Sequence, residues 1–169
     1  MKPKFRAWCK TLNNGNGKML PVLAINFLKE RVYVEANKKG VPTGYVHYDD
    51  CELMKRVGTD ISGVDVFVGD IVEYAVRENE YSTISERKPL IGVVCLGKYE
   101  QDGSGGEFSP VEVVGVYIKY VGGKIDWYGK LEEIDDWKRT IAICDDYYCD
   151  KIKVIGNIYE NPEMLEKQK

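Results

Sequence analysis

Val66-Phe67-Val68-Gly69-Asp70-Ile71-Val72-Glu73-Tyr74 decides the fold class. Two runs rich in β-branched and aromatic residues flank a Gly-Asp pair. Such residues pack well on a pleated, half-buried surface. The glycine permits a tight turn, and the aspartate side chain can bond nearby backbone amides. A short strand, a Gly-Asp turn and a second strand form the opening of a small β-barrel.

Outward from this stretch, turn signals separate further strand patterns. Upstream, Phe5, Ala7 and Cys9 alternate with Arg6, Trp8 and Lys10, and Asn13-Asn14-Gly15-Asn16-Gly17 supplies residues that tolerate positive φ. The segment 19–28 is mostly apolar. Arg31-Val32-Tyr33-Val34-Glu35-Ala36 is a strand, Val41-Pro42-Thr43-Gly44 a turn, and Tyr45-Val46-His47-Tyr48 a strand. Another strand over 52–57 leads into a Gly-rich connector over 58–63.

Downstream, 77–89 is a polar insert and 90–99 a buried strand. The segment 101–106 is a Gly-Ser tip. An alternating strand over 111–121 turns at Gly122-Gly123 into 124–128. Apolar positions 131, 134 and 137 suggest a short helix. Thr140 to Cys144 and Lys151 to Ile158 are the last strands. Asn161 and Pro162 then read as the N-cap and first residue of a terminal helix, with Glu163 favoured by its dipole.

Many short strands and few helical patterns give a mainly β class, with α+β as the fallback. The specific expectation is a small SH3-like β-barrel over 61–169 that carries the C-terminal motif. An N-terminal β segment over 1–60 adds a further layer, or completes one continuous domain. Val66, Phe67, Ile71, Val72, Leu90, Val93, Val113, Ile143, Val154 and Ile158 are the expected core.

A chain of 169 residues suits one domain or two small ones. No apolar run approaches the roughly 18 residues that span a bilayer, and no signal-peptide pattern follows Met1. A cytoplasmic protein without a membrane partner is expected. The net charge of -3 is unevenly spread. Residues 1–60 carry 11 basic and 6 acidic side chains, a balance of +5, and 61–169 carry 13 and 21, a balance of -8. Such asymmetry suits a head-to-tail contact between copies, or two solvated surfaces of opposite bias.

Catalytic patterns are missing. There is no Gly-x-Ser-x-Gly or His-Glu-x-x-His, and neither Gly103–Gly106 nor Gly156 has the Lys-Ser or Lys-Thr of a phosphate loop. The 5 cysteines, at 9, 51, 95, 144 and 149, have no Cys-x-x-Cys pair and read as reduced thiols. His47, the only histidine, reads as a packed strand residue. The acidic groups 132, 133, 135, 136 and 145, 146, 150 read as solvated faces. No catalytic residue, cofactor site or metal site is assigned.

Aromatic residues are plentiful, with 12 Tyr and 3 Trp. Lys4, Arg6, Trp8, Lys10, Arg31 and Tyr33, with Lys18 and Lys29, would form a stacking surface for single-stranded nucleic acid if strands 5–10 and 31–36 were neighbours. The alternative is a charged edge strand whose Trp8 packs on the rim, and the acidic balance of the whole chain favours it.

Three stretches together resemble the YopX family of bacteriophage and prophage proteins. They are Lys4-Phe5-Arg6-Ala7-Trp8, Gly69-Asp70-Ile71-Val72, and Lys153-Val154-Ile155-Gly156-Asn157-Ile158-Tyr159-Glu160-Asn161-Pro162-Glu163-Met164-Leu165. The segments 77–106 and 145–149 lie outside that pattern. The resemblance implies a phage-encoded accessory protein that forms trimers, and it brings no catalytic residues with it. Two functions follow. One is a non-enzymatic, self-associating module that binds a host or phage protein. The other is a nucleic-acid-binding accessory factor that uses the basic N-terminal part.

Overall fold

The structure, a computed structural model, describes residues 4–35, 42–76, 90–101, 111–122, 140–142 and 149–166. The chain forms two compact units, Met1–Gly58 and Thr59–Lys169. Both are built on antiparallel sheets, so the protein is mainly β.

In the first unit, β1 (Phe5–Cys9), β2 (Lys18–Asn26), β3 (Arg31–Glu35), β4 (Pro42–His47) and β5 (Cys51–Thr59) lie in the order β4-β3-β2-β1-β5. The Asn-Gly signal after β1 is a real turn. Asn13, Asn14, Gly15 and Gly17 all take positive φ, and the Gly17 amide closes onto the Leu12 carbonyl at 3.0 Å. One sheet face buries Ala7, Cys9, Leu20, Val32, Val34, Val46 and Cys51 together. The alternation of β1 and β3 produces this face directly, because every second side chain points to the same side.

The sequence reading departs from the structure in two places here. Pro42-Thr43-Gly44 is strand rather than turn, with Pro42 at the first position of β4, where a missing amide is tolerated. His47 is exposed at the end of β4 rather than packed.

The second unit holds β6 (Asp65–Phe67), β7 (Asp70–Val76), β8 (Leu90–Gln101), β9 (Val111–Gly122), β10 (Thr140–Ala142), β11 (Cys149–Asn157) and the one-turn α1 (Glu163–Glu166). The sheet order is β10-β9-β8-β7-β11. Its end strands β10 and β11 do not pair, so the described strands form an open sheet and not a closed barrel. Ile71, Val72, Tyr74, Leu90, Val94, Tyr99 and Ile118 are buried. Consecutive burial of Ile71 and Val72 means that β7 is covered on both faces at this point.

Of the expected core, Val66, Ile71, Val72 and Leu90 are buried, and Phe67, Val93, Val154 and Ile158 are half-buried. Val94, not Val93, is the fully buried member of its pair. The side chain of Val113 and the whole of Ile143 lie outside the described residues. So do the insert over 77–89, the tip over 102–106, the helix expected over 131–137 and the hairpin strand over 124–128.

Gly92 lets this sheet close up. A Cβ there would overlap the Ile118 side chain and approach the Lys119 carbonyl oxygen to 2.9 Å.

Candidate functional site

The sheet face opposite the buried cluster of the first unit gathers most of the residues suggested as an interaction surface. Strand register places Arg6 beside Pro21 and Met54, and Trp8 beside Met19 and Glu52. On the same face, Arg31 lies beside His47, and Tyr33 beside Tyr45. The Arg31 guanidinium stacks 4.0 Å over the Tyr45 ring, whose centroid is 6.2 Å from that of Tyr33. This cation–π contact and aromatic pair make one local cluster.

The two halves of that surface are not neighbours. β2 lies between β1 and β3, and β1 is an interior strand paired on both sides rather than an edge. Trp8 is half-buried, and a Cβ on Gly17 would overlap its ring. The ring therefore covers Gly17 at the end of the 13–17 turn. Arg6 Nε donates to Met54 Sδ at 3.4 Å, and Lys10 pairs with Glu52 at 2.7 Å. Lys4 is exposed just before β1, and Lys18 is exposed at the start of β2.

A second feature of this unit escaped sequence reasoning. Between β2 and β3, Phe27-Leu28-Lys29 forms a 3-10 turn. The Asn26 side chain accepts from the Lys29 amide at 3.0 Å, and Glu30 takes φ 50. This ordered turn presents Phe27 at 73% and Leu28 at 99% exposure. The Tyr48 amide donates to the Glu30 carbonyl at 2.9 Å, placing a second exposed ring beside that of Phe27, with Tyr45 exposed on the same hairpin. The available signal was two consecutive apolar residues that break the alternation directly before Lys29-Glu30-Arg31.

In the second unit, buried polar groups form a lattice. Asp60 accepts from the Ser62 amide at 2.8 Å, the Val64 amide at 2.9 Å and the Val154 amide at 3.1 Å. Burial pushes its carboxyl up, but these three amides and Lys153 outweigh it and hold the pKa below the ordinary 3.8. Asp70, fully buried, accepts from the Phe67 amide at 2.7 Å across the Gly69 turn. The Gly69 amide reaches the Val94 carbonyl at 2.8 Å, and its carbonyl accepts from Ile158 at 3.0 Å.

The end of β11 completes this lattice. Asp70 pairs in register with Asn157, and Ile71 with Gly156. Asn157 Oδ1 accepts from the amides of Tyr159 and Glu160, and its Nδ2 donates to Glu160 at 2.6 Å. Asn161 meets the tail helix through its backbone alone, its carbonyl accepting from the Met164 amide at 3.1 Å. Its side-chain oxygen accepts from the Asn157 amide at 3.2 Å, instead of serving the tail helix as a cap. The side-chain oxygens of Asp60, Asp70, Asn157 and Asn161 thus all hold backbone amides.

Cys9, Cys51 and Cys95 are free thiols. Burial raises the pKa of each above the ordinary thiol value. The Cys144 position and the Cys149 side chain lie outside the described residues, as do the acidic groups at 132–136 and 145–146 and the Asp150 side chain. Among the described residues, no group of three or more His, Cys, Asp or Glu is placed to hold a metal ion, and no helix is long and apolar enough to cross a membrane.

The family model described as "YopX protein" matches residues 4–166. The chain belongs to the YopX family. In this YopX chain, two of the three stretches that carry the resemblance meet in one ladder, where Asp70–Val72 runs against Val154–Asn157. The third stretch is β1 in the other unit. The crystal structure of protein EF1440 from Enterococcus faecalis is similar to it over 98% of this chain and 99% of that one, at 19% identity and a TM-score of 0.46. No curated protein matches it.

Proposed function

We propose that this YopX protein is a non-enzymatic, self-associating interaction module, encoded by a phage or prophage and working in the host cytoplasm. The observation that carries this reading is the Phe27-Leu28 tip. Two large apolar side chains stand in solvent on a turn held by its own cap and by the β4 end. An ordered apolar projection of this kind suits insertion into a partner, because little conformational freedom is lost on binding.

The partner that fits first is a second copy. A basic N-terminal part meeting an acidic remainder is a head-to-tail contact, and such contacts close into rings when the rotation permits. A trimer is the ring proposed, and the assembled ring then binds a host or phage protein. The test is sedimentation equilibrium of wild type against Phe27→Ser/Leu28→Ser. Both side chains are exposed, so the double variant keeps its fold, and the reading expects it to fall to monomer. A variant that assembles as wild type does would refute the role of the tip.

A second reading rests on the Arg6, Trp8, Arg31, Tyr33 and Tyr45 face, which could bind single-stranded nucleic acid. Trp8 is engaged with Gly17 and Arg31 with Tyr45, which leaves less of that face for stacking bases. Binding of a single-stranded oligonucleotide that weakens steeply with salt would favour it over the module.

A further inference from the structure

Cys9 and Cys51 are 42 positions apart in sequence and directly opposite in register on β1 and β5. Their pairing type follows from the neighbouring hydrogen bonds. The Lys10 amide donates to the Asp50 carbonyl at 2.9 Å, and the Arg56 amide to the Lys4 carbonyl at 2.9 Å. In an antiparallel ladder, hydrogen-bonded and non-hydrogen-bonded pairs alternate. Residues 10 and 50 therefore make a bonded pair, and 9 and 51 a non-bonded one. Non-bonded pairs bring Cα atoms to about 4.5 Å and their side chains closest together. That separation is at the short end of the range a disulfide bridges, about 4.4–6.8 Å. Both side chains lie on the buried face, so they point the same way.

We infer that Cys9 and Cys51 are a redox pair, which a low-molecular-weight disulfide such as oxidised glutathione converts to a cross-strand disulfide that links β1 to β5. Cys51, at the first position of β5 beside the exposed 48–50 turn, is the entry thiol. Its sulfur attacks one sulfur of the oxidant, which breaks the oxidant's S–S bond and releases one glutathione. Cys9 then attacks Cys51 Sγ and displaces the second glutathione. The protein loses two electrons and two protons, and the oxidant leaves as two thiols. Burial, with Cys51 adjacent, holds the Cys9 thiol up at about 11. Exchange needs a thiolate, so the reaction is slow in the closed sheet and quickens as pH rises.

The test uses the full chain under native conditions. It is incubated with oxidised glutathione, quenched in acid, unfolded, alkylated, digested without reduction and mapped by mass spectrometry. The inference expects an intramolecular peptide joining Cys9 to Cys51, formed faster at higher pH and removed by dithiothreitol. It is overturned if Cys9 and Cys51 are both recovered as alkylated thiols while other cysteines carry glutathione, or if either bridges to another cysteine or another chain. A second measurement counts thiols in Cys95→Ala/Cys144→Ala/Cys149→Ala, which keeps only the pair. The count should fall from two to zero with a rise in thermal midpoint. A count that stops at one or stays at two refutes the pair.

Discussion

Gly17→Ala isolates the packing that holds Trp8. Gly17 sits at φ +77, where an L-residue is strained, and its missing Cβ is the space that the Trp8 ring occupies. The backbone part of the cost is about 1–2 kcal/mol, reduced by a few tenths because alanine also narrows the unfolded ensemble. The packing part is larger. A Trp buries roughly 150–250 Å², so lifting a half-buried ring exposes on the order of 100 Å², worth about 2.5 kcal/mol at about 25 cal/mol per Å². The expected total is about 3–4 kcal/mol. Gly15→Ala is the control, since Gly15 has φ +85 but open space around it, and it should cost only about 1 kcal/mol. Urea unfolding followed by far-UV circular dichroism measures both. In a Trp8→Ala background the Gly17→Ala cost should fall to that of Gly15→Ala, the coupling that contact residues show. Equal costs for the two glycines in the wild-type background would refute the packing role.

Two further substitutions probe the second unit. Asp60→Asn should remove a pH-dependent stabilisation. The folded pKa of Asp60 is depressed below 3.8, so its contribution is present above that value and lost as pH falls through the folded pKa. Acid titration of wild type and variant should show stability curves that separate at neutral pH and converge at the acid end; parallel curves would contradict the assignment. Asn161→Ala should cost about 1–2 kcal/mol by leaving the Asn157 amide without its acceptor, measured by denaturant unfolding. A change within a few tenths would mean that water replaces the side chain there.

Local chemistry was legible and long-range chemistry was not. The alternation in 5–9 and 31–35, the Asn-Gly turn at 13–17 and the Gly69-Asp70 turn follow from residue types alone, and the structure has each where the sequence puts it. Val93 and Val94 could not be told apart, because 90–95 is a continuous apolar run without a period of two. Pro42-Thr43-Gly44 carries turn composition, yet pairing with β3 makes it strand. The oxygen that Asp60 offers Val154 spans 94 residues, and the facing of Cys9 and Cys51 depends on a register that only the folded sheet defines. Of the suggested surface, Arg31 and Tyr33 form a cluster with Tyr45, which sequence did not name. Arg6 and Trp8 stand on the same face with β2 between.

The claim that the protein self-associates is tested most directly by light scattering on wild type at physiological salt, over a concentration series from micromolar upward. The account predicts a mass near three times the 19.3 kDa of one chain. A mass that stays at 19.3 kDa as concentration rises would contradict it.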